Sequence, residues 1–234
     1  MIAIAFPTLF EAQDLLASLQ GKQEKEISGV RCFTGLIGKM ELFVIICGIG
    51  GAKAAASVSL VLPHSSANML ILAGFAGALN PTISKGQVIV AARYSSDSML
   101  NFLKAVPGYD VALMCSSDRV ISTPAEKAEL AESSGCQIVD METARVAEVA
   151  ASFGLEIIGV RAISDDARDT VPAEVLACGY DQETSKTTPM KLGLHLIFHP
   201  KDIPELKRFL QPLPEVRRAL TRFLIRLINE FEEV

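Results

Sequence analysis

The amino-acid sequence predicts an α/β fold with three layers, in which helices cover both faces of a mixed central sheet. Short apolar runs alternate with helix-like segments over about 160 residues, a pattern typical of α/β proteins. No repeat, low-complexity tract or linker divides residues 1–234, so we expect a single domain. Half of the residues are hydrophobic, which is enough to build one sizeable core.

The first part of the chain contains four strand-like runs and two helix-like segments. The strands are predicted at residues 2–6, 31–37, 41–47 and 69–75, and the helices at 9–19 and 52–62. Gly38 and Lys39 form the turn of a hairpin between the second and third strands. We expect the glycine-rich run from Gly74 to Gly77 to end the fourth strand as a turn.

The second part continues this alternation and then changes character. Strands are predicted at residues 87–92, 111–115, 136–141 and 156–164, and a helix at 143–153. Another helix begins at Thr123, which has Pro124 after it and Glu126 at capping-box spacing. Residues 165–189 are polar and rich in turn formers, so we expect a loop there.

An extra helical segment is expected at about residues 190–234. Apolar residues from Val216 to Phe231 recur every three or four positions, which predicts one long amphipathic helix. Basic side chains outnumber acidic ones around it. We expect this helix to pack on the domain with its basic face in solvent, and the alternative is peripheral contact with a membrane surface.

Composition and cysteine spacing argue against several classes of protein. Acidic residues outnumber basic ones and give a net charge of −5, so a protein that coats nucleic acid is not expected. No apolar run has the length needed to span a bilayer. The five cysteines are widely spaced and show no zinc-ligand pattern, so we expect reduced thiols, a cytoplasmic protein, no metal and no organic cofactor.

Acidic residues and glycines follow several of the predicted strands. They are Glu11, the glycines at 48–51 and 74–77, the acids at 140–142, and the acids at 165–166. Ligands of open α/β sheets bind at the carboxyl ends of the strands, so we expect these groups to share one site. Two carboxylates with different tasks suit the cleavage of a glycosidic bond.

Four runs of residues resemble motifs of the nucleoside phosphorylase/nucleosidase superfamily. They are Cys47-Gly-Ile-Gly-Gly51, Ala73-Gly-Phe-Ala-Gly77, Val139-Asp-Met-Glu-Thr-Ala144 and Val160-Arg-Ala-Ile-Ser-Asp165, in the family's order. The most similar branch is that of the 5′-methylthioadenosine/S-adenosylhomocysteine nucleosidases, and the resemblance runs from Met1 to about Ala167. It implies a phosphorylase-like α/β/α fold, a homodimer, and hydrolysis of a purine nucleoside, with a 5′-substituted adenosine as the expected substrate.

Two features of the chain depart from this branch. The segment between Ala92 and Ser116 is shorter than in these nucleosidases, where it helps to close the 5′ side of the pocket. The helical C-terminal segment has no counterpart in the small nucleosidases. Both features resemble the hopanoid-associated branch, whose substrate is a lipid-linked adenosine, so the 5′ group is left open.

The resemblance implies that Asp165 is the acid that protonates purine N7. Protonation makes the purine a better leaving group, and an aspartic acid that works near neutral pH needs its pKa raised by burial or by a like charge. Asp166 is either the alternative acid or that like charge. Judged by residue type, Ser164 and Asp165 could equally cap a helical turn.

The resemblance also places Glu142 on the 2′- and 3′-hydroxyls of ribose, where it favours a cationic transition state, and packs Met141 against the sugar. The alternatives are an acid in the first turn of a helix and a core methionine. Arg161 lies in the middle of a strand. It either contacts the ligand or forms a buried ion pair with Glu142 or Glu11.

Glu11 is the candidate base for the attacking water, because the family has a carboxylate in this first loop. Without gaps, however, Ala12 occupies the usual position and Glu11 comes one residue earlier, a rotation of about 100° on a helix. The alternative is an ordinary acid near a helix N-terminus.

The resemblance places the base pocket at residues 118–122. The family stacks an aromatic ring on the base there, whereas this chain has Val120, and the backbone of Ile121 can read the adenine edge. Phe75 either supplies the missing ring or fills the core. Gly74 lets a ligand approach the backbone closely, and Ser164 adjoins the acid.

We expect water rather than phosphate as the nucleophile. Phosphorylases of this superfamily gather arginines around phosphate, whereas residues 69–73 before the glycine run are all apolar. A purine nucleoside phosphorylase is the alternative, if Arg31, Arg93 or Arg119 reaches the site from a neighbouring subunit. A nucleoside-binding protein without catalysis is the third hypothesis.

Overall fold

A computed structural model describes residues 1–105, 108–181, 186, 187 and 189–232. Within these residues the strands of the main sheet are β1 (Ile2–Phe6), β2 (Gln20–Ile27), β3 (Val30–Ile37), β4 (Met40–Ile46), β5 (Met69–Ala78), β6 (Val88–Ala91), β7 (Asp110–Ala112), β8 (Met114–Ser116), β9 (Ile138–Asp140) and β10 (Glu156–Asp165). The main path through the sheet runs β2-β3-β4-β1-β5-β10-β6-β7, and β8 and β9 extend it beside β5. Two short strands, β11 (Tyr180–Asp181) and β12 (Lys186–Thr187), pair separately.

The helices lie on both faces of the sheet. They are α1 (Leu9–Ser18), α2 (Gly51–Val61), α3 (Asp97–Ala105), α4 (Pro124–Ser134), α5 (Thr143–Ser152), α6 (Ala173–Cys178), α7 (Pro189–Phe198), α8 (Ile203–Leu210) and α9 (Leu213–Glu232). One face of β1 and β5 packs against α1 and α9, and the other face packs against α2 and α5. The predicted three-layer α/β/α arrangement is confirmed.

The centre of the sheet is parallel and buried on both faces. β5 pairs in parallel with β1 on one side and with β10 on the other. All five residues of β1 are buried, and so are nine of the ten residues of β10. β1 is a continuous apolar run, and β10 is apolar from Ile157 to Val160, because both faces of these strands are covered by helices.

A strand and a helix before residue 165 escaped the sequence analysis. Strand β2 is exposed at seven of its eight positions and pairs only with β3, so its sequence is polar and lacks a buried face. Charged side chains at such an edge discourage pairing with other chains. Helix α3 was also missed, because polar residues interrupt its apolar positions.

Two predictions about loops are wrong. β5 does not end in a turn at Gly74, because it stays paired with β10 as far as Gly77. The region 165–189 is not a continuous loop, since it contains the helix α6 and the short strands β11 and β12. Residues 182–185 and 188 of that region lie outside the described residues.

The C-terminal segment is helical, as predicted, with breaks near Pro200 and Pro212. The apolar face of α9 is buried in the core that α1 shares, with Leu220, Leu224 and Leu227 fully covered. At the edge of this contact, Arg217 Nε lies 2.8 Å from a carboxylate oxygen of Asp14. Helix α9 therefore packs on the sheet. Among the described helices, none combines the length and the apolar character needed to cross a membrane.

Candidate active site

Two clusters of charged side chains lie against two glycines of β5. In the register of β5 and β10, Arg161 is opposite Gly74 and Asp165 is opposite Gly77. A Cβ atom at Gly74 would lie 3.0 Å from Glu11 Oε1, and one at Gly77 would lie 2.8 Å from Asp165 Oδ2. Three residues along a strand span about 10 Å. The glycines thus make room for two neighbouring groups of charges at the carboxyl ends of these strands.

The first group, the Arg161 cluster, consists of Glu11, Asp140, Glu142, Thr143 and Arg161. Arg161 is fully buried, and its Nη2 and Nε lie 2.7 and 3.1 Å from Asp140 Oδ2. Nη2 also donates to Thr143 Oγ1 at 2.5 Å. The hydrogen-bonded partner of Arg161 is therefore Asp140, whereas the sequence pointed to Glu142 or Glu11. Asp140 stood within the recognised motif, but no local signal marked it as the partner.

Charge balance keeps Arg161 ionised despite its burial. Burial by itself disfavours the guanidinium cation, whereas the negative charges of Asp140, Glu142 and Glu11 favour it. The net effect raises the pKa of Arg161 above its ordinary value. The cluster therefore holds one fixed positive charge among three carboxyl groups.

Glu142 is buried at the start of α5 and reaches across to the glycine run after β4. Its Oε1 accepts a hydrogen bond from the Gly50 N–H at 2.8 Å. Burial, followed by the nearby Asp140, raises the pKa of Glu142 to about 8, while Arg161 and the Gly50 hydrogen bond oppose the rise. The side chain does not bond to its own helix N-terminus, so it is not a capping acid.

Glu11 reaches the same cluster from α1. Its Oε1 accepts from the Phe75 N–H at 2.8 Å and its Oε2 from the Thr8 hydroxyl at 2.5 Å. Burial raises the pKa of Glu11, and the Thr8 and Phe75 hydrogen bonds and the charge of Arg161 oppose it. Ala12, by contrast, is fully buried in the main core. Of these two neighbours, Glu11 is the one whose side chain faces the cluster.

The raised pKa of Glu142 predicts a pH-dependent gain in stability for Glu142→Gln. In the folded protein Glu142 retains its proton up to about pH 8, whereas the unfolded chain releases it near 4.5. The stabilisation from this proton is complete below about pH 4.5 and is lost as the pH rises through about 8. Glutamine cannot ionise and still offers an oxygen to Gly50. Its free energy of unfolding should therefore exceed that of the wild type at pH 9 by on the order of 2–4 kcal/mol.

Urea denaturation at pH 5 and pH 9 measures this difference. Glu148→Gln makes the same change at an exposed position of α5 and should show no comparable pH dependence. A Glu142→Gln difference that is the same at both pH values would contradict the prediction.

The second group, the Asp165 cluster, consists of Lys127, Ser164 and Asp165 with the backbone carbonyls of Asp166 and Asp169. Lys127 Nζ lies 2.5 Å from Asp165 Oδ2, and the Ser164 hydroxyl lies 2.6 Å from Asp165 Oδ1. Lys127 is only 1% exposed. Sequence reasoning missed it, because it stands among polar residues of α4 and no local pattern separates it from its exposed neighbours.

Asp166 points away from this cluster. Its Oδ1 accepts a hydrogen bond from the backbone N–H of Lys85, and its own N–H donates to Asp169 Oδ2 at 2.9 Å. Asp166 therefore holds the loop after β10 against the loop before β6. Of the two adjacent aspartates, Asp165 is the one at Gly77.

The other predicted site residues lie around the two clusters. Met141 is half-buried, and its carbonyl oxygen would lie 3.3 Å from a Cβ at Gly51. The ring of Phe75 packs against the main core and meets the Phe10 ring edge-on at 6.2 Å, as the core-filling alternative requires. Val120 is half-buried, and Ile121 packs on a small apolar cluster with Leu79 and Cys136.

The 118–122 loop is tied to the start of α4. Glu126 accepts from the Ser122 N–H at 2.9 Å and pairs with Arg119 at 2.5 Å. The Ser122 carbonyl in turn accepts from the Val171 N–H at 2.8 Å, which links this loop to the one after β10. Among the residues that the structure describes, no three His, Cys, Asp or Glu side chains are grouped so that they could hold a metal ion.

This arrangement of strands and carboxylates defines the class of protein. The profile of the Phosphorylase superfamily matches residues 1–110 and 107–188. The chain belongs to this superfamily.

One relative narrows the resemblance to a branch of this superfamily. A 5′-methylthioadenosine/S-adenosylhomocysteine nucleosidase of Lysinibacillus sphaericus (strain C3-41) is 28% identical over 188 residues, which cover 66% of this chain and 81% of that protein. The sequence analysis pointed to the nucleosidase branch of the superfamily. This relative is a nucleosidase of that branch, so the resemblance is confirmed.

Solved structures share the fold. The S-adenosylhomocysteine nucleosidase of Streptococcus pyogenes, in complex with 5-methylthiotubericidin, superposes with a TM-score of 0.69 at 22% identity over 97% of this chain and 96% of that chain. The 5′-methylthioadenosine/S-adenosylhomocysteine nucleosidase of Campylobacter jejuni gives 0.71 at 17% identity over 100% and 99%. These superpositions extend over the C-terminal helices, so the expectation that this segment has no counterpart is wrong for the fold.

Proposed function

We propose that this protein is a nucleosidase that hydrolyses the N-glycosidic bond of a 5′-substituted adenosine. The observation that carries the proposal is that Asp165 and the Arg161 cluster lie against two glycines of one strand, Gly74 and Gly77, three positions apart. One carboxylate can then act on the base while others act on the sugar. The nucleosidase relative supports the same reaction.

In the proposed reaction, Asp165 gives a proton to purine N7. The C1′–N9 bond breaks, its electron pair moves to the purine, and positive charge develops on the ribose. Glu142 accepts hydrogen bonds from the ribose hydroxyls, its ionised form favours this charge, and Met141 packs against the sugar. Glu11 takes a proton from the water that attacks C1′. The backbone around Val120 and Ile121 borders the base.

The ion pairs of the candidate arginines support hydrolysis over phosphorolysis. Arg31 lies 2.8 Å from Glu24, and Arg119 lies 2.5 Å from Glu126, both within this chain. Arg161 is held by Asp140 in the core. These ion pairs engage two of the three candidate arginines, and Arg93, which forms no such pair within the described residues, remains the candidate for a phosphate contact.

The proposal also covers the domain organisation, the location and the oligomeric state of the enzyme. We infer one catalytic domain from residue 1 to 234, since α9 packs into the core that α1 shares. A cytoplasmic homodimer is inferred from the resemblance. Exposed Ile197 and Phe198 of α7, rather than α9, would meet a lipid surface if the substrate were a lipid-linked adenosine.

Chromatography of the released base, with and without phosphate, tests the proposal. The panel contains adenosine, inosine, methylthioadenosine and adenosylhomocysteine. We expect adenine from at least one 5′-substituted adenosine without phosphate. Release that requires phosphate would make the protein a phosphorylase, and binding without release would make it a nucleoside-binding protein.

Gly77→Ala should disable the proposed acid without a new charge. Its Cβ would lie 2.8 Å from Asp165 Oδ2, so the short carboxylate side chain must turn away. A displacement of about 1 Å in a reacting group can cost about 100-fold in rate, and we expect a loss of that order in kcat. Steady-state kinetics with a melting curve measures it. A folded variant with the wild-type kcat would contradict the prediction.

A further inference from the structure

Lys127 is a buried lysine whose ammonium is fully engaged. It lies on α4, and its Nζ contacts Asp165 Oδ2 at 2.5 Å, the Asp166 carbonyl at 2.6 Å and the Asp169 carbonyl at 3.1 Å. An ammonium has three hydrogens, so these three acceptors use all of them. Buried charges persist when they are paired and hydrogen-bonded, and this site meets both conditions.

The contacts of Lys127 converge on the end of β10. Two of its partners are main-chain carbonyls of the loop that begins after Asp165, and the third is the Asp165 carboxylate itself. Packing could be achieved with an apolar side chain, whereas this lysine joins α4, the loop and the carboxylate through one atom. This geometry indicates that Lys127 fixes the position of Asp165.

The other charged side chains near the end of β10 pair with partners other than Asp165. Lys85 pairs with Asp169 at 2.9 Å, and Asp166 accepts from the Lys85 N–H. Glu126, next to Lys127 on α4, pairs with Arg119. Lys127 is thus the cation in direct contact with Asp165.

We propose that Lys127 is a positioning residue for Asp165, which holds this carboxyl group in one orientation. The inference rests on the proposed function, in which Asp165 protonates the purine. Lys127 acts through Asp165 and does not itself touch the substrate.

The contacts explain how the pair would work. Lys127 Nζ is tied to two main-chain carbonyls of the loop and to one oxygen of the Asp165 carboxyl group. The two carbonyls fix the ammonium, and the ammonium then hinders rotation of the carboxyl group away from the base.

Lys127→Gln tests this role through kcat and KM. Glutamine retains a donor but cannot give three hydrogen bonds from one nitrogen. We expect kcat to fall about 10-fold or more, with KM little changed. Lys85→Gln removes a cation that pairs with the loop after β10 but does not contact Asp165, and it should leave kcat and KM near the wild-type values.

Lys127→Arg separates charge from geometry. It keeps the positive charge, but a planar guanidinium cannot put one nitrogen on all three oxygens, so kcat should fall. It also decides the matter if Lys127→Gln does not fold. An arginine variant with the wild-type kcat would overturn the positioning role.

The combined variant Lys127→Gln/Asp165→Asn provides the remaining check. If Lys127 acts through Asp165, the lysine substitution should not further lower the residual rate of Asp165→Asn. A further loss as large as in the wild-type background, or a folded Lys127→Gln variant with the wild-type kcat, would overturn the inference and leave the proposed function intact. Absence of base release by the wild-type protein would overturn both.

Discussion

Asp165→Asn should lower the rate of base release by about 10²- to 10⁴-fold, the range attributed to a single general acid. Asparagine has nearly the same shape and still offers an oxygen to Lys127, but it has no proton to give to N7. The loss should appear in kcat, with KM for the nucleoside little changed, because the proposed ribose contacts lie in the Arg161 cluster. Base release by chromatography at several pH values measures it.

Stability must be measured beside activity for this variant. Removing the negative charge leaves the Lys127 ammonium buried without a counter-ion, at a cost on the order of 3 kcal/mol. Asp166→Asn is the matched control, because it makes the same change one residue away, where an amide oxygen can still accept from the Lys85 N–H. It should retain most of the activity. A folded Asp165→Asn enzyme with near-wild-type kcat would contradict the assigned acid.

Arg161→Met should cause the largest loss of stability, about 3–5 kcal/mol in the free energy of unfolding. Arg161 and Asp140 side chains are each 0% exposed, so the substitution leaves a carboxylate buried without its cation. Hydrogen bonds from Ser116 and Thr143 to Asp140 stay in place, but neither donor carries a charge. Urea denaturation measures the change.

Two further variants give this prediction its controls. Arg31→Met removes an arginine from an exposed pair with Glu24 and should cost about 1 kcal/mol or less. Arg161→Met/Asp140→Asn removes both buried charges. Its loss in the free energy of unfolding should be smaller than the summed losses of the two single variants. Strict additivity, or an Arg161→Met protein as stable as the wild type, would contradict a buried ion pair.

Local sequence determined the parts of the fold that depend on neighbours along the chain. The apolar runs of β1 and β10 identify central strands because both of their faces are buried. The threonine cap and its Glu126 partner mark the start of α4, and both hydrogen bonds of that capping box are present. The motifs also identified the family and drew attention to Glu142 and Asp165. These signals lie within a few residues of each other, where chain geometry is fixed by local rules.

Tertiary structure decided which charges meet. Lys127 and Asp165 are 38 positions apart and Arg161 and Asp140 are 21 apart, so no helical or strand period relates them. The continuation of β5 through Gly74 likewise depends on pairing with β10, which overrides the turn preference of glycine. Burial then sets the charge of each group, because the pKa of Glu142 reflects its packing against Asp140 and Arg161 rather than its place in the sequence. The sequence by itself determined the central strands, the start of α4 and the family, whereas the ion pairs that shape the site exist only once distant segments are packed together and water is excluded.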